Sequence, residues 1–412
     1  MIPRHISKLI DYSLDHFPCT ILTGPRQVGK TTLLDKVYVP KGYSFISLDN
    51  SSDRLLAQND PKSFLELHPY PLIIDEAQKA PELFPELERI INEKRRLSGS
   101  NNANGLYILS GSNRKELLEE AKESLAGRAS IINMSPFSVS ELYFRDNQPF
   151  IPDIAQLSKN VSKGLLNQDQ ILELIVKGEL PQLYDDDNLQ SSLFYSSYIT
   201  TYMEKDIREL INLKDELKFH NLLTLVVSLT GQELVYENIA KEIGVSANTI
   251  KQWISVMAKT GIIYLLQPYY ENSIKKRIVK RPKIYFFDTG LACYLLGIDS
   301  KETLSNSFLK GRLFETFVFN EILKSYSNSG EDIKLYYYRD SNQKEVDFVL
   351  IKNGTIHCME CKFGQEHSLR DVSNFRELKD SQFIKGKGAI ICTSTEISAL
   401  SSDVLVIPAS II

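Results

Sequence analysis

The chain has no apolar run approaching the ~18 residues that a membrane-spanning helix requires, so no membrane partner is expected. It has one tryptophan and five cysteines in 412 residues. Cys19, Cys293, Cys358, Cys361 and Cys392 are odd in number and dispersed, which argues against a disulfide framework and for a reducing compartment. Cys358 and Cys361 have CxxC spacing, but strand residues three apart point to opposite faces, which disfavours a zinc pair. An excess of one charge is also missing. The net charge of −4 excludes a generally basic DNA coat while leaving room for a local basic patch. The opening MIPRHISKLIDYSLDHF lacks the apolar core of a signal peptide. The expectation is a cytoplasmic globular protein, long enough for two or three domains.

What the chain does have is concentrated at its two ends. Residues 20–32 read TILTGPRQVGKTT. An apolar run, then G-x-x-x-x-G-K-T, then helix-forming residues give a P-loop (Walker A) in its required context of strand, glycine-rich turn and helix start. Gly24, Pro25, Arg26, Gln27, Val28, Gly29, Lys30, Thr31 and Thr32 form the expected phosphate cradle, all but Pro25 offering a backbone N–H. Lys30 adds charge at the outer phosphates, and the Thr31 hydroxyl is a Mg²⁺ ligand. The run YPLIIDEAQ ends in Asp75 and Glu76. Asp75 fits the Walker B metal position, and Glu76 fits a general base for the attacking water. GLYILSGSN ends in small polar residues, and in a P-loop ATPase one of them, Ser112 or Asn113, is expected to sense the terminal phosphate. With YSFISLD and ASIINMS the strand runs number five and alternate with helical stretches, the pattern of a parallel sheet. Arg128, in KESLAGRAS, is either a finger reaching a neighbouring subunit's nucleotide or a cap on a helix end.

GPRQVGKTT, LIIDEAQ, LSGSN and SLAGRA, in this order, resemble prokaryotic AAA+-type ATPases that carry a C-terminal domain of unknown function. PFSVSEL, GELPQLY, YITTYMEKDI, RPKIYFFDTGLACYLLG and GRLFETFVFNEI extend the resemblance over nearly the whole chain. It implies an α/β protein with an ATPase core (1–145), a helical connector (146–215), a winged helix (216–300) and a restriction-endonuclease-like end (301–412). It also implies ATP with Mg²⁺ and a homo-oligomer.

In the middle, YENIAKEIG and VSANTIKQWISVMAKTG read as a helix-turn-helix, with Ser246 as cap. Ile250, Trp253, Ile254 and Met257 form its buried stripe. The following ENSIKKRIVKRP carries Lys275, Lys276, Arg277, Lys280 and Arg281, a basic wing suited either to duplex DNA or to a protein interface. Near the end, KEVDFVLI and TIHCMECKF flank Asn353-Gly354, the favoured two-residue hairpin turn. That register sets Asp347 opposite Glu360 and Glu345 opposite Lys362, all on one face. Opposed carboxylates with nothing nearby in the sequence to neutralise both point to a divalent cation, Mg²⁺ or Mn²⁺. Asp347, Glu360 and Lys362 match the PD-(D/E)XK nuclease signature, and Glu315 matches the acidic residue that many members add. Val346 stands where proline is usual. The other reading is a surface ion pair, Glu345 with Lys362, on a fold kept only as a scaffold.

Overall fold

In the computed structural model the five apolar runs of the front third pair as one parallel sheet. They are β1 (Cys19–Thr23), β2 (Ser44–Ser47), β3 (Leu72–Asp75), β4 (Tyr107–Ser110) and β5 (Ala129–Asn133), in the order β2-β3-β4-β1-β5. The structure describes residues 1–99, 101–111, 114–161, 163–186, 188–207, 216–270, 281–378 and 381–412. They divide into two units: Pro3–Pro136 with Ser327–Gly330, and Met1–Ile2 with Phe137–Tyr326 and Glu331–Ile412. The first unit is the α/β core that the strand count predicts. Every residue of β1, β3 and β4 is buried, as parallel strands covered on both faces should be. Phe64, Phe84, Leu87 and Ile91 pack on one side of them. Because β4 lies between β1 and β3, the C-terminal ends of these three strands come together, the end at which open parallel sheets bind ligands.

The second unit begins with helices. Glu216–Ser228, Tyr236–Ile243 and Ala247–Lys259 accompany a three-stranded antiparallel sheet of β6 (Gln232–Glu233), β7 (Ile263–Leu266) and β8 (Lys283–Phe286), ordered β6-β8-β7. Ser246 caps the third helix by accepting the Thr249 N–H at 3.0 Å. Ile250, Trp253, Ile254 and Met257 are all buried, and Trp253 packs edge-on against Phe219 at 5.5 Å. The tryptophan is therefore core. Lys275, Lys276, Arg277 and Lys280 lie outside the described residues, and Arg281 is exposed.

The rest of this unit holds a seven-stranded mixed sheet. It contains β9 (Leu335–Arg339), β10 (Glu345–Lys352), β11 (Thr355–Lys362), β12 (Ile384–Lys385), β13 (Gly388–Cys392), β14 (Ser398–Ser401) and β15 (Val404–Pro408). Its order is β14-β15-β13-β11-β10-β9, with β12 beside β11. β9, β10 and β11 run antiparallel, whereas β11, β13 and β15 run parallel. The helix Lys310–Ser327, up to Tyr326, belongs to the same unit and carries Glu315.

Two of the sequence stretches that carry the resemblance meet inside this unit. Asp288 is fully buried. It accepts the Glu179 N–H, the Leu291 N–H and the Tyr195 hydroxyl, each at 2.7 Å. Gly290 has no room for a Cβ against the Tyr195 hydroxyl and the Lys177 carbonyl. GELPQLY and FFDTGLA are thus two sides of one buried joint. No helix among the described residues is long and apolar enough to cross a membrane.

Candidate functional site

The P-loop follows β1 without a break. Gly24 takes φ 146, and a Cβ there would collide with the Met134 carbonyl oxygen, so only glycine fits at this position. Gln27 and Gly29 take φ 61 and 91, turning the chain tightly into the helix that starts at Lys30. The Lys30 ammonium is buried and donates to the carbonyls of Gly24 and Pro25, both at 2.8 Å. Folded onto its own loop, it can exchange these carbonyls for phosphate oxygens.

Asp75, at the end of β3, links the end of β4 to the helix that follows the P-loop. Its Oδ2 accepts the Thr31 hydroxyl at 3.1 Å, and its Oδ1 accepts the Ser110 hydroxyl at 2.5 Å. Burial raises the Asp75 carboxyl above its usual range, against the opposing effect of the Ser110 and Thr31 hydrogen bonds. Bringing Thr31 and Asp75 together is what a Mg²⁺ site needs, and the donor set here fits Mg-ATP. Glu76 takes φ 55, and its Oε2 accepts the Gln78 side-chain N–H at 2.5 Å. The other end of the Gln78 amide packs against Gly111, where a Cβ would collide with it. Ser112 and Asn113 lie outside the described residues.

Three neighbours of this site escape sequence reasoning. Ser110, the last residue of β4, reads as an ordinary strand end. Gln78 reads as a polar residue after the strand. Arg4 is the least expected: it is buried and donates to the carbonyls of Val28 (2.8 Å), Ser135 (2.6 Å) and Pro136 (3.3 Å). It straps the N-terminus to the P-loop. Its only signal in the sequence is an arginine beside an otherwise apolar start.

Arg128 is engaged within its own subunit. Its guanidinium bonds the Asn92 side chain at 2.9 Å, the Ala126 carbonyl at 3.0 Å and the Glu88 carboxylate at 3.0 Å. Asn92 and Glu88 lie on the helix Leu83–Ser98.

At the far end of the chain, the turn forms as the sequence predicts: Asn353 and Gly354 have φ 51 and 75, and Lys352 pairs with Thr355. The ladder holds the expected register as far as Phe348 opposite Met359 and stops there. A register shift between Val346 and Val349 marks the β9 side of β10. The expected direct oppositions of Asp347 with Glu360 and of Glu345 with Lys362 are therefore not part of the ladder. Instead, Asp347 Oδ2 accepts the Cys361 N–H at 2.9 Å. Lys362 bonds Glu360 at 2.9 Å, and Glu345 pairs elsewhere.

The expectation that nothing nearby neutralises the carboxylates is corrected by Lys283, the first residue of β8. Its ammonium lies 3.0 Å from Glu315, 2.6 Å from Glu345 and 3.7 Å from Asp347, and its side chain is only 2% exposed. Glu315 also accepts the Tyr285 hydroxyl at 2.5 Å, and Arg339 lies 3.3 Å from Glu345. Burial lowers the Lys283 ammonium, but Glu315, Tyr285, Asp347 and Glu345 more than offset it and hold the charge. Burial raises Glu315 to about 7, against the pull of Lys283. Burial and then Asp347 raise Glu360 to about 8, against Lys362. With their oxygens turned to these donors, the carboxylates do not fit a divalent cation in this arrangement. Among the described residues, no group of three or more His, Cys, Asp or Glu side chains is placed to hold one.

Comparison with known proteins divides the chain along similar lines. Residues 16–143 match the model of an AAA domain, which supports an ATPase of the AAA+ kind. Residues 168–302 and 310–412 match two domains of unknown function, DUF8612 and DUF4143. An uncharacterised protein of Mycobacterium tuberculosis is 27% identical over 351 residues, covering 85% of this chain and 71% of its own. An uncharacterised protein of Methanocaldococcus jannaschii is 25% identical over 399 residues, covering 90% of this chain and 80% of its own. Among solved structures, a Walker-type ATPase of Pyrococcus abyssi is similar at 15% identity, with a TM-score of 0.43, covering 72% of this chain and 96% of that one.

Proposed function

We propose that the chain is an ATP-hydrolysing AAA+ protein that acts on DNA, with its nuclease-like end as a holding domain. The observation that supports this most strongly is the Asp75 carboxylate accepting both Thr31 and Ser110 beside a buried Lys30. Lys30 binds the outer phosphates, Thr31 and Asp75 orient the metal and its water shell, and Glu76 takes the proton of the attacking water. Bound Mg²⁺ supplies charge neutralisation at the phosphates. Ser112 or Asn113 senses the terminal phosphate. An ATPase assay with and without duplex DNA tests the whole reading: turnover that never appears under either condition would overturn it.

The assembly is a homo-oligomer in which Arg128 acts across a subunit contact, exchanging Glu88 and Asn92 for a neighbour's nucleotide. Arg128→Ala protein should bind ATP normally and hydrolyse it poorly, and mixing it with Lys30→Ala protein should restore part of the activity. A monomeric wild type with full turnover would exclude this role.

The helices and strands from 216 to 287 serve as a winged helix, whose basic segment contacts phosphates. Replacing Lys275, Lys276 and Arg277 by Ala should weaken binding to every duplex sequence and lower the salt-dependence slope by about 2–3 units. An unchanged slope would make this segment a protein interface.

A second reading of the C-terminal end has Glu315, Asp347 and Glu360 holding Mg²⁺ or Mn²⁺, with Lys362 assisting DNA cleavage. It requires Lys283 to leave. The position of Lys283 favours the holding role.

A further inference from the structure

We propose that Lys283 is the resident cation of the C-terminal carboxylate centre, closing it to Mg²⁺ and Mn²⁺. This rests on the reading of Glu315, Asp347 and Glu360 as a nuclease-like set, and it disagrees with that set about what neutralises it. The ammonium stands among Glu315, Glu345 and Asp347, which come from a helix and from β10. A lone buried lysine would be expelled or would lose its proton, and three carboxylates without a cation would repel one another. Each side makes the other tolerable.

The lysine cannot swing away freely. Residues two apart share one face of a strand, so Tyr285 lies on the face of β8 that carries Lys283. Its ring stacks on Phe319 at 4.1 Å and 15°, and Phe319 is on the same helix as Glu315. Phe348, next to Asp347 in β10, lies 6.0 Å from both rings. This aromatic trio fixes β8, the helix and β10 around the ammonium. One oxygen of each carboxylate is also taken: Glu315 Oε1 receives Lys283 and Tyr285, and Asp347 Oδ2 receives the Cys361 N–H. Mg²⁺ needs such oxygens at about 2.0–2.1 Å, where it would face the ammonium directly.

The test is Mn²⁺ titration of the full-length, nucleotide-free protein carrying Asp75→Asn, which weakens metal binding at the ATP site. Loss of the free-ion electron paramagnetic resonance signal reports binding. With Lys283 present, replacing Asp347 by Asn should change nothing. Lys283→Met, which keeps the side chain's length without its charge, should gain one Mn²⁺ per chain at least ~10-fold tighter, because a nearby positive charge has gone. Adding Asp347→Asn to Lys283→Met should abolish the gain.

A folded Lys283→Met protein that gains no Mn²⁺ would overturn the proposal, as would Asp347-dependent binding while Lys283 is present. Should Lys283→Met fail to fold, Lys283→Gln replaces it. Should neither fold, the Lys283-bearing protein decides: Asp347-dependent Mn²⁺ binding overturns the closed centre, and its absence sustains it. A gain that survives Glu360→Gln supports Lys283 as the resident cation while removing Glu360 from the nuclease-like set, so the two failures are distinguishable.

Discussion

Glu76→Gln protein should bind ATP as tightly as the wild type and hydrolyse it at least ~100-fold more slowly, a loss of about 2.7 kcal/mol in transition-state stabilisation. The geometry separates two acids that are adjacent in sequence. Asp75 is committed to the Thr31 and Ser110 hydroxyls, so it stays beside the metal path. The left-handed backbone at Glu76 turns the next carboxylate away from that pair, and the Gln78 amide holds it. The glutamine variant keeps the size and loses the basicity, so binding survives while proton removal does not. Lys30→Ala provides the contrasting result, loss of tight ATP binding itself, because the lost group is a phosphate contact. Binding by fluorescent-nucleotide titration and turnover by phosphate release separate the two. A Glu76→Gln protein that turns over at the wild-type rate would remove Glu76 from the chemistry.

Asp288→Ala should cost the second unit about 3–5 kcal/mol of stability, since three buried donors lose their acceptor together. The Glu179 and Leu291 N–H groups and the Tyr195 hydroxyl all converge on this carboxylate, which lies out of contact with bulk solvent. The helix Thr289–Leu295 loses its N-cap in the same step. Asp288→Asn keeps one acceptor oxygen and turns an amide N–H toward a donor, so its loss should be smaller but still measurable. Urea unfolding followed by tyrosine fluorescence and circular dichroism checks this. A change below about 1 kcal/mol in the alanine variant would mean that the joint rearranges and that its motifs owe their form to something else.

The parts of the molecule legible in the sequence are those written over short distances. The P-loop, Asp75 at the tip of its strand, the Ser246 cap, the Trp253 stripe and the Asn353-Gly354 turn each depend on residues within a few positions of one another. The three central strands, β1, β3 and β4, showed as apolar runs because they are buried on both faces. What stayed hidden depends on distant parts of the chain. Lys283 opens a strand whose other residues, Ile284, Tyr285 and Phe286, are all buried, and a lysine at a strand edge reads as solvated. Its partners lie on a later helix and a later hairpin. Arg4 meets Val28 and Ser135 in the same manner. The hairpin register was correct through Phe348 and Met359, but the point where two strands part is set by what each packs against, which alternation alone does not encode.

The two left-handed residues of the Asn353-Gly354 turn also bear on the order in which the C-terminal centre is assembled. A hairpin with such a turn closes through local contacts in about 1–10 μs, carrying Asp347 and Glu360 with it. The parallel pairings of β11 with β13 and of β13 with β15 must wait for longer loops to close, and so must the arrival of β8. On these rates Asp347 and Glu360 are expected to be brought near each other first, in water, where solvent separates their charges. Lys283 comes later, and its arrival coincides with the drying of the centre.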